Sequence, residues 1–204
     1  MQNENPTPKK AKPGLILFLL AIVFIGPFLF AWSMFQRSDS IQFNTVNNGD
    51  LINPAIPVES FHLKTPFEQT PAPRKEFKGH WTVIYLLPKI CSAGCHENLF
   101  NMKQMHTALG KEMSRVKRAY FFLPNQVNKA ECKLYHDTYP NVPQWVIHAN
   151  VLAELKTHNP HYEKVGTYYI VDPMGHIMMS YEGDMPMKAI MNDIKRLLKV
   201  SKIG

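Results

Sequence analysis

The feature that most constrains this 204-residue chain is the run from Leu15 to Phe35, LILFLLAIVFIGPFLFAWSMF, which contains no charged residue. As a helix rising about 1.5 Å per residue it would reach roughly 31 Å, close to the hydrocarbon thickness of a bilayer. Pro27 interrupts the run, yet lipid-embedded helices tolerate proline better than soluble ones do. Trp32 suits the headgroup interface. A buried core helix would keep polar residues on one face, and here there are none. A cleaved signal peptide would be shorter and end in a small-x-small site, whereas Phe30-Ala31-Trp32 is a poor cleavage context. The run is therefore expected to be an uncleaved transmembrane anchor over 15–35.

Lys9, Lys10 and Lys12 crowd the N-terminal flank, and only Arg37 stands close to the other. The positive-inside rule then keeps residues 1–14 in the cytoplasm and exports everything after Phe35. The expectation is a single-pass inner-membrane protein whose C-terminal domain lies in the periplasm, or in a mitochondrion the intermembrane space. The formal charge of +7 divides into +2 before the anchor and +5 over 37–204. Those charges are scattered, without the aromatic-interleaved basic stripe that a nucleic acid partner needs. The membrane is the expected partner surface.

Residues 36–78 read as a tether and lead-in punctuated by Pro54, Pro57, Pro66, Pro71 and Pro73, so long regular elements are not expected. Leu51-Ile52 and Ile56-Pro57-Val58 are candidates for short edge strands beside the turn signal Asn48-Gly49-Asp50. From 79 the pattern sharpens. Trp81 to Leu87 (WTVIYLL) is apolar on both faces, as a buried central strand requires, and Pro88 closes it. Leu99, Met102, His106, Leu109 and Met113 then mark one face of a helix. Val116 to Leu123 is a second strand, about Lys129 to Thr138 a short helix, and Val142 to Val146 extended. Ala149 to Thr157 reads as another helical turn or two before Pro160.

Gly166 to Val171 and His176 to Tyr181 form a hairpin around Asp172-Pro173-Met174-Gly175. The last helix opens at Asp184-Met185-Pro186 and carries the stripe Met187, Ile190, Met191, Ile194, Leu197 and Leu198. Strand, cysteine-bearing turn, helix, strand, helical crossover, hairpin and helix make an α/β domain of thioredoxin-like, three-layer α/β/α plan over 79–204.

Three cysteines, Cys91, Cys95 and Cys132, lie in the exported part, and an odd number leaves at least one thiol outside any internal disulfide. Cys91-Ser92-Ala93-Gly94-Cys95 falls between strand and helix, where unpaired N–H groups and the dipole favour a thiolate. The thiolate is the form that attacks disulfides and binds soft metals. If both residues were helical their Cβ atoms would stand about 5–6 Å apart, wider than the roughly 3.8 Å of a relaxed disulfide. Oxidation then needs Cys91 in the loop, which Gly94 makes easier. Three readings stay open: an exchanging pair, a soft-metal site, and an inert structural disulfide.

The Trp81–Leu87 strand, the Cys-x-x-x-Cys turn and the Asp172-Pro173-Met174-Gly175 hairpin resemble the Sco/SenC family, over about 79–200 and in anchor layout. The resemblance implies a membrane-anchored, thioredoxin-like accessory factor for cytochrome c oxidase assembly, with an oxidase subunit or another assembly factor as partner. It implies that Cys91 and Cys95 bind Cu(I) or exchange electrons. The family's third copper ligand, a histidine just before the hairpin, would fall near Lys164 or Val165; the nearest histidine is His161. Ser92 and His96 stand where the family has prolines. A general periplasmic thiol–disulfide oxidoreductase and a non-catalytic thioredoxin-fold scaffold are the alternative functions.

Other residues invite a role. His96 beside Cys95 is a candidate to tune it or cap the helix. His106 on the apolar face reads as a core histidine. Among eleven methionines, Met187 and Met191 fit the last helix's stripe, and alternation sends Met178 or Met179 into the core. Cys132 reads as a partly buried free cysteine, with a resolving thiol as the alternative.

Overall fold

The structure is a computed structural model that describes residues 13–36, 46–73, 75–148, 155, 157, 164 and 166–203. The chain divides into two compact units, Met1–Val46 and Asn47–Gly204. The first contains one helix, α1 (Pro13–Gln36), which begins on a proline and continues through Pro27. Leu17, Phe18, Phe24, Leu29 and Phe30 are all exposed, so the helix is apolar all round, with no inward face. Among the described residues no helix is long and apolar enough to cross a membrane. Within α1 the side chains at 15–16 and 34–35 lie outside the description, and the stretch between them is shorter than the roughly 20 residues of a crossing. The anchor expected over 15–35 thus rests on the sequence.

The second unit is built on a six-stranded mixed sheet. Its strands are β1 (Asp50–Pro57), β2 (Trp81–Leu87), β3 (Val116–Phe122), β4 (Gln144–Val146), β5 (Tyr168–Val171) and β6 (His176–Tyr181), in the order β1-β6-β5-β2-β3-β4. β2, β3 and β4 are parallel, whereas β5, β6 and β1 are joined antiparallel. Every residue of β2 is buried, as its two-faced apolar pattern requires. One face carries Trp81, Val83, Tyr85 and Leu87 into a core shared with α2 (Ala93–Ala108), α3 (Lys129–Thr138) and α4 (Met187–Val200). The other face, with Ile84, Leu86 and Phe121, is covered by Phe61, Leu63, Phe77 and Leu155.

The compact unit therefore starts at Asn47, and much of the 36–78 lead-in belongs to it. Its prolines suggested irregular chain, but an edge strand does not need every N–H, so β1 accommodates Pro54 and Pro57 with a bulge between Leu51 and Ile56. Ile52 and Ile56 anchor it in the core. The second face is closed by this lead-in, while the helical segment expected over Ala149–Thr157 lies largely outside the described residues.

Two helix faces differ from their expected stripes. On α2 the inward residues are Cys95, Leu99, Met102 and Met105; His106 is half-buried, and Met113 falls in a short 3₁₀ turn and is exposed. On α4 the expected stripe is in place, with Ile190, Ile194 and Leu198 buried and Met187, Met191 and Leu197 packed against the core, but Asp193, 2% exposed, joins it, and no side chain caps the helix start, so Asp184 is not its N-cap. Asp193 is tolerated inside because its carboxylate accepts from Asn48 N at 2.7 Å, Asn48 Nδ2 at 2.9 Å and Tyr181 Oη at 3.0 Å. This acceptor fastens the segment entering β1 to α4. A Cβ on Gly49 would lie 2.5 Å from the Tyr181 ring, so the approach needs glycine.

Candidate functional site

β2 delivers the chain to Pro88, and the loop that follows ends at Ser92, the N-cap of α2. Ser92 Oγ accepts from Cys95 N at 3.4 Å, and the Ser92 carbonyl accepts from His96 N at 3.0 Å. The helix therefore starts between the two cysteines: Cys91 lies in the loop and Cys95 in the first turn. That placement releases the pair from the spacing of two helical residues, and Cys91 and Cys95 form a disulfide with Cα atoms 5.3 Å apart. Cys91 is half-buried and Cys95 is 6% exposed, so the two sulfurs differ in access. Both cysteines stand at the positive end of α2.

A cleft of 460 Å³ opens beside the disulfide, with Tyr85, Cys95, Asn98, Lys164, Glu182 and Gly183 on its walls. Asn98 stands one turn beyond Cys95 and ties the walls together. Its Nδ2 donates to Tyr85 Oη at 3.2 Å and to the Gly183 carbonyl at 3.2 Å. The Tyr168 hydroxyl donates to the Asn98 carbonyl at 3.4 Å, and the Tyr85 and Tyr168 rings lie 4.6 Å apart. Burial pushes the Tyr85 phenol up, against the Asn98 hydrogen bond, so it stays protonated at neutral pH. A Cβ on Gly183 would come within 2.7 Å of the Gly166 carbonyl, which requires glycine where the loops meet. Lys164 and Glu182 pair at 2.7 Å across the same two loops, and donating to the Glu182 carboxylate holds the exposed ammonium above its ordinary value.

The other candidate residues disperse. His161 lies outside the described residues. His96 is exposed on α2 and takes no part in capping through its side chain, a role Ser92 fills. His106 Nε2 lies 2.6 Å from the Val116 carbonyl, and desolvation holds its pKa below the ordinary value, with Arg118 adding to the depression. Met179 is buried while Met178 is half-buried, as alternation requires. Cys132 is a free, fully buried thiol, pushed up to about 11 chiefly by burial. Among the described residues, no three His, Cys, Asp or Glu side chains gather to hold a metal ion. Tyr85, Asn98 and Glu182 were missed by sequence reasoning. The three-residue step from Cys95 to Asn98 along one helix face was an available signal for Asn98; the loop contacts were not foreseeable.

A parallel strand, a cysteine turn, a capped helix and a closing hairpin and helix define a thioredoxin-fold protein with a disulfide at the strand–helix junction. The chain belongs to the family described as "transmembrane-like, thioredoxin-like, C-terminal domain", whose model matches residues 81–201. No curated protein matches it by sequence. Among solved structures it is similar to yeast Sco1 with copper bound, at 15% identity and a TM-score of 0.53, covering 78% of this chain and 96% of that one. It is likewise similar to Arabidopsis thaliana ScoI with copper bound, at 10% identity and a TM-score of 0.50, covering 77% and 100%. At such identities the likeness establishes a shared fold.

Proposed function

We propose that this chain is a membrane-anchored, Sco-like accessory factor that serves assembly of the copper site of a respiratory oxidase through thiol–disulfide exchange at Cys91 and Cys95. The observation that carries the reading is the disulfide between a half-buried loop sulfur and a buried helical one at the start of α2, beside an open cleft. A thiolate of a partner dithiol attacks Cys91 Sγ and forms a mixed disulfide, and Cys95 Sγ leaves and takes up a proton. The partner's second thiol then displaces Cys91 and closes the partner's own disulfide. Two electrons and two protons have passed to the pair, and the reverse sequence reduces a partner disulfide. The helix start lowers the cost of each thiolate along the way.

Once reduced, the pair offers two soft sulfur donors suited to Cu(I) as cargo. Among the described residues no third His, Cys, Asp or Glu joins them, and His161 is the candidate third ligand. The uncharged run of α1 behind Lys9, Lys10 and Lys12 supports an anchor with the domain on the outer side.

Redox titration of the full chain with thiol trapping tests the chemistry. A reversible two-electron Cys91–Cys95 couple above about −300 mV is expected, outside the range of structural disulfides. A pair that stays oxidised across that range would sink the proposal. In the source cell, the Cys91→Ser/Cys95→Ser double variant is expected to lose oxidase activity, and preserved assembly would select a scaffold instead.

A further inference from the structure

Opening the disulfide leaves the sulfur of Cys95, a residue only 6% exposed, where water reaches it poorly. A sulfur that develops charge in such a place needs a hydrogen-bond donor. The side-chain donors around the cleft can be counted. Asn98 Nδ2 has two protons, one given to Tyr85 Oη and one to the Gly183 carbonyl. The orientation of that amide is forced, because a backbone carbonyl only accepts and must face the nitrogen. The Tyr85 oxygen therefore accepts from Asn98, and its own proton points elsewhere. Among the described residues that proton has no acceptor, and Tyr85 lines the cleft with Cys95. The Lys164 ammonium on the rim is held by Glu182. Ser92 Oγ likewise accepts, from Cys95 N, but its hydroxyl is exposed and water serves its proton.

We propose that the Tyr85 hydroxyl donates a hydrogen bond to the sulfur of Cys95 when the disulfide opens, and that Asn98 is the positioning residue that aims it. The assignment rests on the exchange reading above. The phenol keeps its proton throughout, so the electron balance of the exchange is unchanged. Packing against the tilted Tyr168 ring holds the Tyr85 ring in place, and the Asn98 bond occupies the oxygen's acceptor side and leaves its proton to the cleft.

The test is the dithiol/disulfide equilibrium constant of the full chain against a glutathione buffer, read by thiol trapping. Tyr85→Phe keeps the ring and removes the proton. It is expected to shift the constant about tenfold toward the disulfide, about 30 mV for this two-electron couple. Asn98→Ala shifts it in the same direction by about threefold, and it gives the reading even if Tyr85→Phe fails to fold. Tyr135→Phe, which loses a phenol hydrogen bond to Glu131 away from the cleft, leaves it unchanged. A Tyr85→Phe constant equal to the wild-type value, or an equal shift in Tyr135→Phe, overturns the assignment while leaving exchange standing. A wild-type chain that does not exchange with glutathione overturns the exchange reading and this assignment together.

Discussion

Cys95 and Cys132 occupy closely similar local settings and meet opposite fates. Cys95 is the third residue of α2, whose N-cap Ser92 accepts from its backbone N–H. Cys132 is the fourth residue of α3, whose N-cap Asn128 accepts from Ala130 N at 3.0 Å and whose Asn128 carbonyl accepts from Cys132 N at 2.9 Å. Both helix starts offer a thiolate the same favourable dipole. Yet Cys132 is sealed in the core, its carbonyl taken by Gln144 Nε2 at 2.9 Å, and its thiol is pushed up to about 11. Cys95 has a half-buried partner sulfur and a cleft. A helix start polarises a sulfur; access and a second sulfur decide whether it reacts.

The contrast breaks first at Cys132. Cys132→Ser places a hydroxyl in a fully buried site and is expected to cost about 1–3 kcal/mol of stability, read as a lower urea midpoint at unchanged slope. Exchange at Cys91 and Cys95 should be unaffected. In the native chain Cys132 should resist alkylation at neutral pH and label only on unfolding, and native labelling would erase the distinction.

A smaller effect sharpens it. Ser92→Ala and Asn128→Ala should each cost about 1 kcal/mol through loss of a cap. Only Ser92→Ala should also move the redox equilibrium, because only that cap holds an exchanging cysteine. Equal redox effects from the two variants would show that the caps act through global stability.

The smallest effect concerns the far end of α2. Burial holds the folded His106 pKa below its unfolded value of about 6.5. Folding therefore favours the neutral ring, and the unfolded chain binds more protons across that window. The contribution is complete above pH of about 6.5 and is lost as pH falls toward the lower folded value. Stability should decline on mild acidification, and His106→Gln should flatten that part of the profile in chemical denaturation. A steeper profile in the variant would contradict the assignment.

Local pattern foretold most of the elements. The two-faced apolar run of β2, the Pro-Met-Gly turn of the hairpin and the bounds of α3 appear where their spacing placed them. Two inward faces were read incompletely for one reason. Spacing says which residues share a face but not which polar group will find partners there, so Asp193 was passed over and His106 was turned too far inward. The lead-in was underestimated because its prolines weaken a strand locally, while pairing with β6 and burial of Ile52 and Ile56 restore it.

For the site, cysteine spacing and the strand before them were enough to locate Cys91 and Cys95 and to name the competing chemistries. Closure of the disulfide depended on where α2 begins, and that is settled by the Ser92 cap. The cleft, with Tyr85 held by Asn98 and Lys164 paired to Glu182, joins residues from β2, α2 and two distant loops. No local periodicity encodes such a meeting, because it arises only when the sheet brings those segments to one edge and close-packed glycines let the loops touch.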